Sequence, residues 1–272
     1  MEKKYKLTEE SINYCGKILY RIEALKDFAI VKKGDKGGYV QSDVNLSQRG
    51  NCWISDNAIV YDNALVFGNA KVSGDAQVYG YAYVYGNALV CGNAEVYDDA
   101  LVSGNAKVYD NALVFGNAEV YGNAKVYCNA QVYGKAIIYG NARVFDKTKI
   151  YDNAYVCSNA EVFGNAKVFG NTKVSDSAKV FGNAEVCGNA KISGEAEIKN
   201  SSDYIVFKNC WSSGRYFTWT RSNNMWRVGC FYGTGKELIA KAYKDSEISG
   251  REYERVVGYV ESILQDSKGI GD

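Results

Sequence analysis

NAKVYDNALVFGNAEVYG, residues 105–122, is three six-residue units in a row, each opening on Asn and placing Ala second and Val fourth. Two apolar residues spaced by one belong on the same face of a strand, with their neighbours pointing the other way. Between units, Gly or Asp precedes Asn, residues that tolerate positive φ and let a short strand turn sharply. Followed outward in both directions, the pattern runs from Asn51 to Asn200 as 25 units without an insertion or deletion. The second position is Ala in 22 of them, with Cys52, Thr148 and Thr172 as exceptions, and the fourth is Val or Ile in all 25. A repeat this regular is one structural unit stacked on itself.

The period resembles the hexapeptide repeat of left-handed parallel β-helices, in which three units make one triangular coil. The resemblance implies an all-β solenoid, a left-handed parallel β-helix of about eight triangular coils given 25 units, whose narrow interior admits Ala and Val but little larger. The absence of proline agrees with strands that donate a hydrogen bond to their neighbours throughout. Terminal coils of a solenoid need covering. Residues 1–50 are therefore expected to form an N-terminal cap and residues 201–272 a small α+β domain. In the first, Thr8–Tyr14 suggests a short helix and Ile18–Leu25 a strand, with a glycine turn at Gly34, Gly37 and Gly38. In the second, Tyr204–Lys208, Tyr216–Arg221 and Met225–Cys230 suggest strands ahead of two helices. Each helix is expected to start at a capping box, Thr234 with Glu237 and Ser249 with Glu252.

Composition removes whole classes of chemistry. The 272 residues include no histidine, so there is no imidazole base, no Ser-His or Cys-His pair and no His-ligated zinc. Hexapeptide-repeat acyltransferases ordinarily use a histidine base, which this chain cannot supply. No catalytic residue, cofactor or metal is expected, and the corner aspartates Asp98, Asp99, Asp110, Asp146 and Asp152 read as turn residues. A divergent acyltransferase with a carboxylate or thiolate base stays open as an alternative. The eight cysteines are scattered without a metal or redox spacing, Cys230 being expected in a core. With 32 basic and 31 acidic residues, no overall field favours a long nucleic acid. No apolar run approaches the length of a membrane span, so a cytoplasmic protein with no membrane partner is expected.

The residue after the core Val points outward yet is aromatic in 16 of 25 units. Residues 18 apart stack on one face. The first face carries Tyr61, Tyr79, Tyr97, Phe115, Tyr133, Tyr151 and Phe169, and the second Tyr109, Tyr127, Phe145, Phe163 and Phe181. The third adds apolar residues before the core Val, so that Leu65, Phe67, Tyr83, Tyr85, Leu101, Tyr121, Ile137, Tyr139 and Tyr155 share it. An apolar surface of this extent predicts an interface. A homotrimer is the first expectation, with a partner protein or the chain's own terminal domain as alternatives. In the last domain Trp211, Arg215, Trp219, Arg221, Trp226 and Arg227 mix rings with guanidinium groups, a composition suited either to a domain core or to binding a small nucleotide.

Two stretches carry a further resemblance. Leu19-Tyr20-Arg21-Ile22, Gly37-Gly38-Tyr39-Val40 and Gly50-Asn51-Cys52-Trp53 look like the opening of uncharacterised hexapeptide-repeat proteins of phages and prophages. Gly229-Cys230-Phe231-Tyr232-Gly233-Thr234 is similar to a small domain that follows β-helical repeats in phage proteins. The resemblance implies a virus-derived protein that binds, inhibits or sequesters a component of its bacterial host, without an established activity.

Overall fold

The computed structural model describes residues 2–269. A hairpin of β1 (Tyr5–Tyr14) and β2 (Lys17–Ala24) leads into β3 (Lys36–Val40), followed by twenty-five two-residue strands from β4 (Trp53–Ile54) to β28 (Glu197–Ile198). These short strands form three parallel sheets of a solenoid, pairing residue i with i+18, as in Val90 with Val108 and Val108 with Val126. The second and fourth positions of every unit are buried, building one continuous core of Ala and Val. At the two Thr positions the extra hydroxyl is satisfied locally: Thr148 donates to the Phe145 carbonyl at 2.9 Å and Thr172 to that of Phe169 at 2.7 Å.

The solenoid has about nine turns, one more than the repeat count gives. Two sides of the additional turn lie inside the stretch expected to be only a cap, and the first repeat unit supplies the third. β3 pairs in parallel with Ile59 and Val60, Leu46 bridges Val66, and β4 completes the second sheet. Its spacing is irregular, the pairs lying 20 residues apart instead of 18, so the sequence period fails where the fold does not.

The corners explain why Asp replaces Gly. Asp98, Asp110, Asp146 and Asp152 all have φ between 55° and 61°. Each extends its carboxylate to the backbone N–H of the residue 18 positions on, Gly116, Cys128, Gly164 and Gly170, at 3.0–3.1 Å. Asp thus tolerates the left-handed backbone and ties one coil to the next. Replacing Asp110 with Ala, which keeps the strain and loses the bond, is expected to cost about 1–2 kcal/mol in urea unfolding, whereas Asp110→Gly stays within about half of that. At the remaining corner, where Gly or Ser comes before Asn, Asn69, Asn87, Asn105, Asn123, Asn141 and Asn159 pass amide hydrogen bonds along the stack at 3.0–3.1 Å.

Thr8–Tyr14 is a strand and not the expected helix. Cys15 (φ 49°) and Gly16 (φ 77°) make a two-residue turn with both φ positive, which folds β1 antiparallel onto β2 and overrides the local preference. Lys4, just before β1, is buried, and its ammonium donates to the Cys52 carbonyl at 2.9 Å; burial holds its pKa below the usual lysine value. Gly34 turns at φ 93°, but Gly37 and Gly38 lie within β3, where a side chain would come within 2.5 Å of the Ile54 and Ala58 carbonyls.

At the other end, β29 (Tyr204–Lys208), β30 (Tyr216–Thr220), β31 (Met225–Val228) and β32 (Phe231–Gly233) form an antiparallel sheet, followed by α1 (Gly235–Asp245) and α2 (Glu247–Gly269). Thr234 and Glu237 make the expected capping box. The second box does not form, because α2 starts at Glu247 and Ser249 lies inside it, its N–H donating to the Ser246 hydroxyl. One face of the sheet packs Phe217, Trp219, Trp226 and Val228 against the helices. The domain also closes the solenoid with hydroxyl groups: the outward-pointing N–H groups of Glu185, Cys187, Lys191 and Glu197 donate to Ser201, Tyr204, Thr218 and Ser222 at 2.7–3.1 Å. Side-chain oxygens thus take the place of the next coil's carbonyls.

Candidate functional site

The third face is left uncovered over its N-terminal two thirds. Strand register aligns Leu65, Tyr83, Leu101, Glu119, Ile137 and Tyr155 in one column. Tyr83 and Tyr155 are each 41% exposed, and Tyr81 at the adjoining corner is 60% exposed. In the second column Phe67 stacks on Tyr85 at 4.8 Å and Tyr121 on Tyr139 at 5.3 Å. Ser103 separates the two pairs and is itself buried. A hydrogen bond with the buried Cys157 thiol, reinforced by burial, pushes the Tyr139 phenol up to about 12. The apolar columns are therefore broken at mid-length by Glu119 and Ser103. Among the described residues Glu119 forms no ion pair. Beyond Tyr155 the column continues as Lys173 and Lys191. The terminal domain sits on the end of the stack, against Lys191 and Gly194, so it does not shield Leu65 to Tyr155.

The first and second faces carry the two ring ladders. Consecutive rings from Tyr61 to Phe169 are 4.8–5.0 Å apart and within 7° of parallel. Those from Tyr109 to Phe181 are 4.8–5.1 Å apart. Every interior ring has both faces occupied by its neighbours, which excludes these ladders as platforms for nucleotide bases. Each stacked pair contributes about 0.5–1.5 kcal/mol to the solenoid itself.

The six Trp and Arg residues of the last domain do not converge. Trp219 and Trp226 are buried on the helix side of the sheet, with the Trp219 indole N–H donating to Asn224. Arg227 alternates with Trp226 along β31, so it lies on the opposite side, over the Tyr232 ring at 5.9 Å. Arg215 and Arg221 are exposed, and Trp211 is 82% exposed on the loop after β29. Alternation along the expected strand Met225–Cys230, which puts Trp226 and Arg227 on opposite sides, was already available in the sequence. Cys230 is exposed and not part of a core.

Among the described residues, no three His, Cys, Asp or Glu side chains are placed to hold a metal ion, and no helix is long and apolar enough to cross a membrane. Sequence reading did not single out a cavity on the second face, where the loop between β2 and β3 overhangs Trp53; its lining comes from four separate stretches of chain. Taken together the chain is a capped three-sided parallel β-solenoid with a C-terminal α+β region. No protein family matches it, and no curated protein does.

Proposed function

We propose that this chain is a non-enzymatic interaction protein that assembles as a homotrimer through the third face of its solenoid. The observation that carries the reading is the uncovered apolar surface built by Leu65, Tyr83, Leu101, Ile137 and Tyr155 on one face of the stack, with Tyr83 and Tyr155 the most exposed of the column. Apolar surface of this kind is stabilised by burial against a second copy, and a closed ring leaves no copy of it exposed. The change to Lys173 and Lys191 confines the contact to the N-terminal two thirds. In the assembled state the terminal domain and the remaining faces are free to bind and sequester or inhibit another component. The likeness of the Leu19–Ile22, Gly37–Val40 and Gly229–Thr234 segments to phage and prophage proteins supports a bacterial host as the source of that component.

Light scattering tests the assembly. The wild-type chain is expected at three times its 30.0 kDa mass, and a Leu65→Lys, Leu101→Lys, Ile137→Lys variant at one. All three side chains point outward, so the variant keeps its far-ultraviolet circular dichroism. A monomeric wild type overturns the reading.

A further inference from the structure

On the second face the ring ladder begins at Tyr109, and the three places before it in the same column hold Ser55, Ser73 and Cys91. Small residues there leave a trough. The loop between β2 and β3 overhangs it: Phe28 and Val31 exchange backbone hydrogen bonds, Ala29 between them is held at φ 44°, and the Phe28 ring packs edge-on against Trp53 at 5.4 Å. Together they enclose a cavity of about 490 Å³, with Ile30 and Val31 above and Trp53, Ser55, Lys71, Ser73 and Leu89 below. A hollow of about 440 Å³ shares Ala29, Asn51, Lys71 and Leu89 with it and continues to Lys107. These volumes are those of small-molecule sites.

The charges around the cavity are unequal in their commitments. The Asp56 carboxylate accepts from the Gly74 N–H, Asp35 accepts from the Lys32 N–H, and Lys36 is paired with Glu10. Lys71 and Lys107 form no ion pair among the described residues. A trough floored by the small Ser55 and Ser73 and walled by Ile30, Val31, Trp53 and Leu89, with two ammonium groups free of ion pairs along its length, is complementary to a flat ring that carries a negative charge.

We propose that this cavity binds a small planar aromatic anion, its ring lying over Ser55 and Ser73, beside the column of Trp53, Lys71 and Leu89, and its phosphate or carboxylate held by Lys71 and Lys107. The ring fills the column that Tyr109 would otherwise head. The site lies on a different face from the assembly surface and does not depend on it.

Calorimetric titration of the full chain with adenosine monophosphate, indole-3-acetate and uncharged adenosine tests this. At least one of the two anions is expected to bind, at least about tenfold more tightly than adenosine, and the one that binds identifies phosphate or carboxylate as the recognised group. The exposed pair Lys71→Ala, Lys107→Ala is expected to weaken that binding about tenfold or more. Ser73→Tyr, which fills the trough with a ring from the chain itself, is expected to abolish it without lowering the melting temperature. Absence of heat with both anions overturns the proposal. So does binding that either variant leaves unchanged, or adenosine binding as tightly as its phosphate.

Discussion

Deletion of Gly122 alone is expected to destroy cooperative unfolding, whereas deletion of the 18 residues 105–122 is expected to leave it nearly intact. One side of the triangle takes six residues, and Gly122 turns its corner at φ 71°. Without it, either every following side chain slips by one place, sending Lys125 into the core place of Ala124 and Tyr127 into that of Val126, or a five-residue side must close a six-residue span. The first alternative reverses inside and outside along the rest of the stack. The second breaks the Tyr121–Tyr139 stack and the Asn105–Asn123–Asn141 amide chain. Either cost exceeds several kcal/mol, a large part of a domain's stability. Removal of residues 105–122 instead excises one whole coil. Gly104 then joins Asn123, Asn87 meets Asn123, and Tyr97 meets Tyr133, each contact the same in kind as the one lost. Because each coil touches only its neighbours, stability changes by one repeat and one interface. Thermal unfolding followed by circular dichroism distinguishes the two: a single sharp transition for the coil deletion, and a broad or early one for the single-residue deletion.

Deletion of the six residues 117–122 separates folding from assembly. It keeps the Gly-Asn corner, since Gly116 then precedes Asn123, but it turns everything after it by one side of the triangle. Ile137 and Tyr155 move to the first face, and Lys125 and Arg143 arrive below Leu101 on the third. The protein is expected to unfold at nearly the wild-type temperature and to fall from three chains to one in light scattering, a threefold loss of mass. The coil deletion is the control. It brings Leu101 directly over Ile137 and removes Glu119, so it is expected to stay assembled. If the six-residue deletion keeps the wild-type mass, the third face is not the interface.

The solenoid was legible because its contacts repeat. The inward Ala and Val, the 18-residue stacking of Tyr109 on Tyr127, and the third-face column are all consequences of one local period, so a reader of the sequence knows each partner by counting. The period does not say which outward side chains matter. Counting by 18 does place Glu119 in the apolar column between Leu101 and Ile137, but the hydroxyls of Thr218 and Ser222 become visible as a cap only when they meet Lys191 and Glu197.

By itself, the sequence determined the strand register, the three faces, the two ring ladders and the capped start of α1, because each depends on residues at fixed short spacing. Tertiary structure decided the rest. Pairing with β2 made Thr8–Tyr14 a strand, and contact with Ile59 and Val60 turned β3 into part of a coil. Packing against α1 and α2 took Trp219 and Trp226 into a core while leaving Trp211 in solvent. The cavity over Ser73 exists because a loop before residue 36 reaches a trough formed by residues 51–89. In each case the partner lies at a distance along the chain that no period specifies, and only burial and hydrogen bonding in the folded molecule select it.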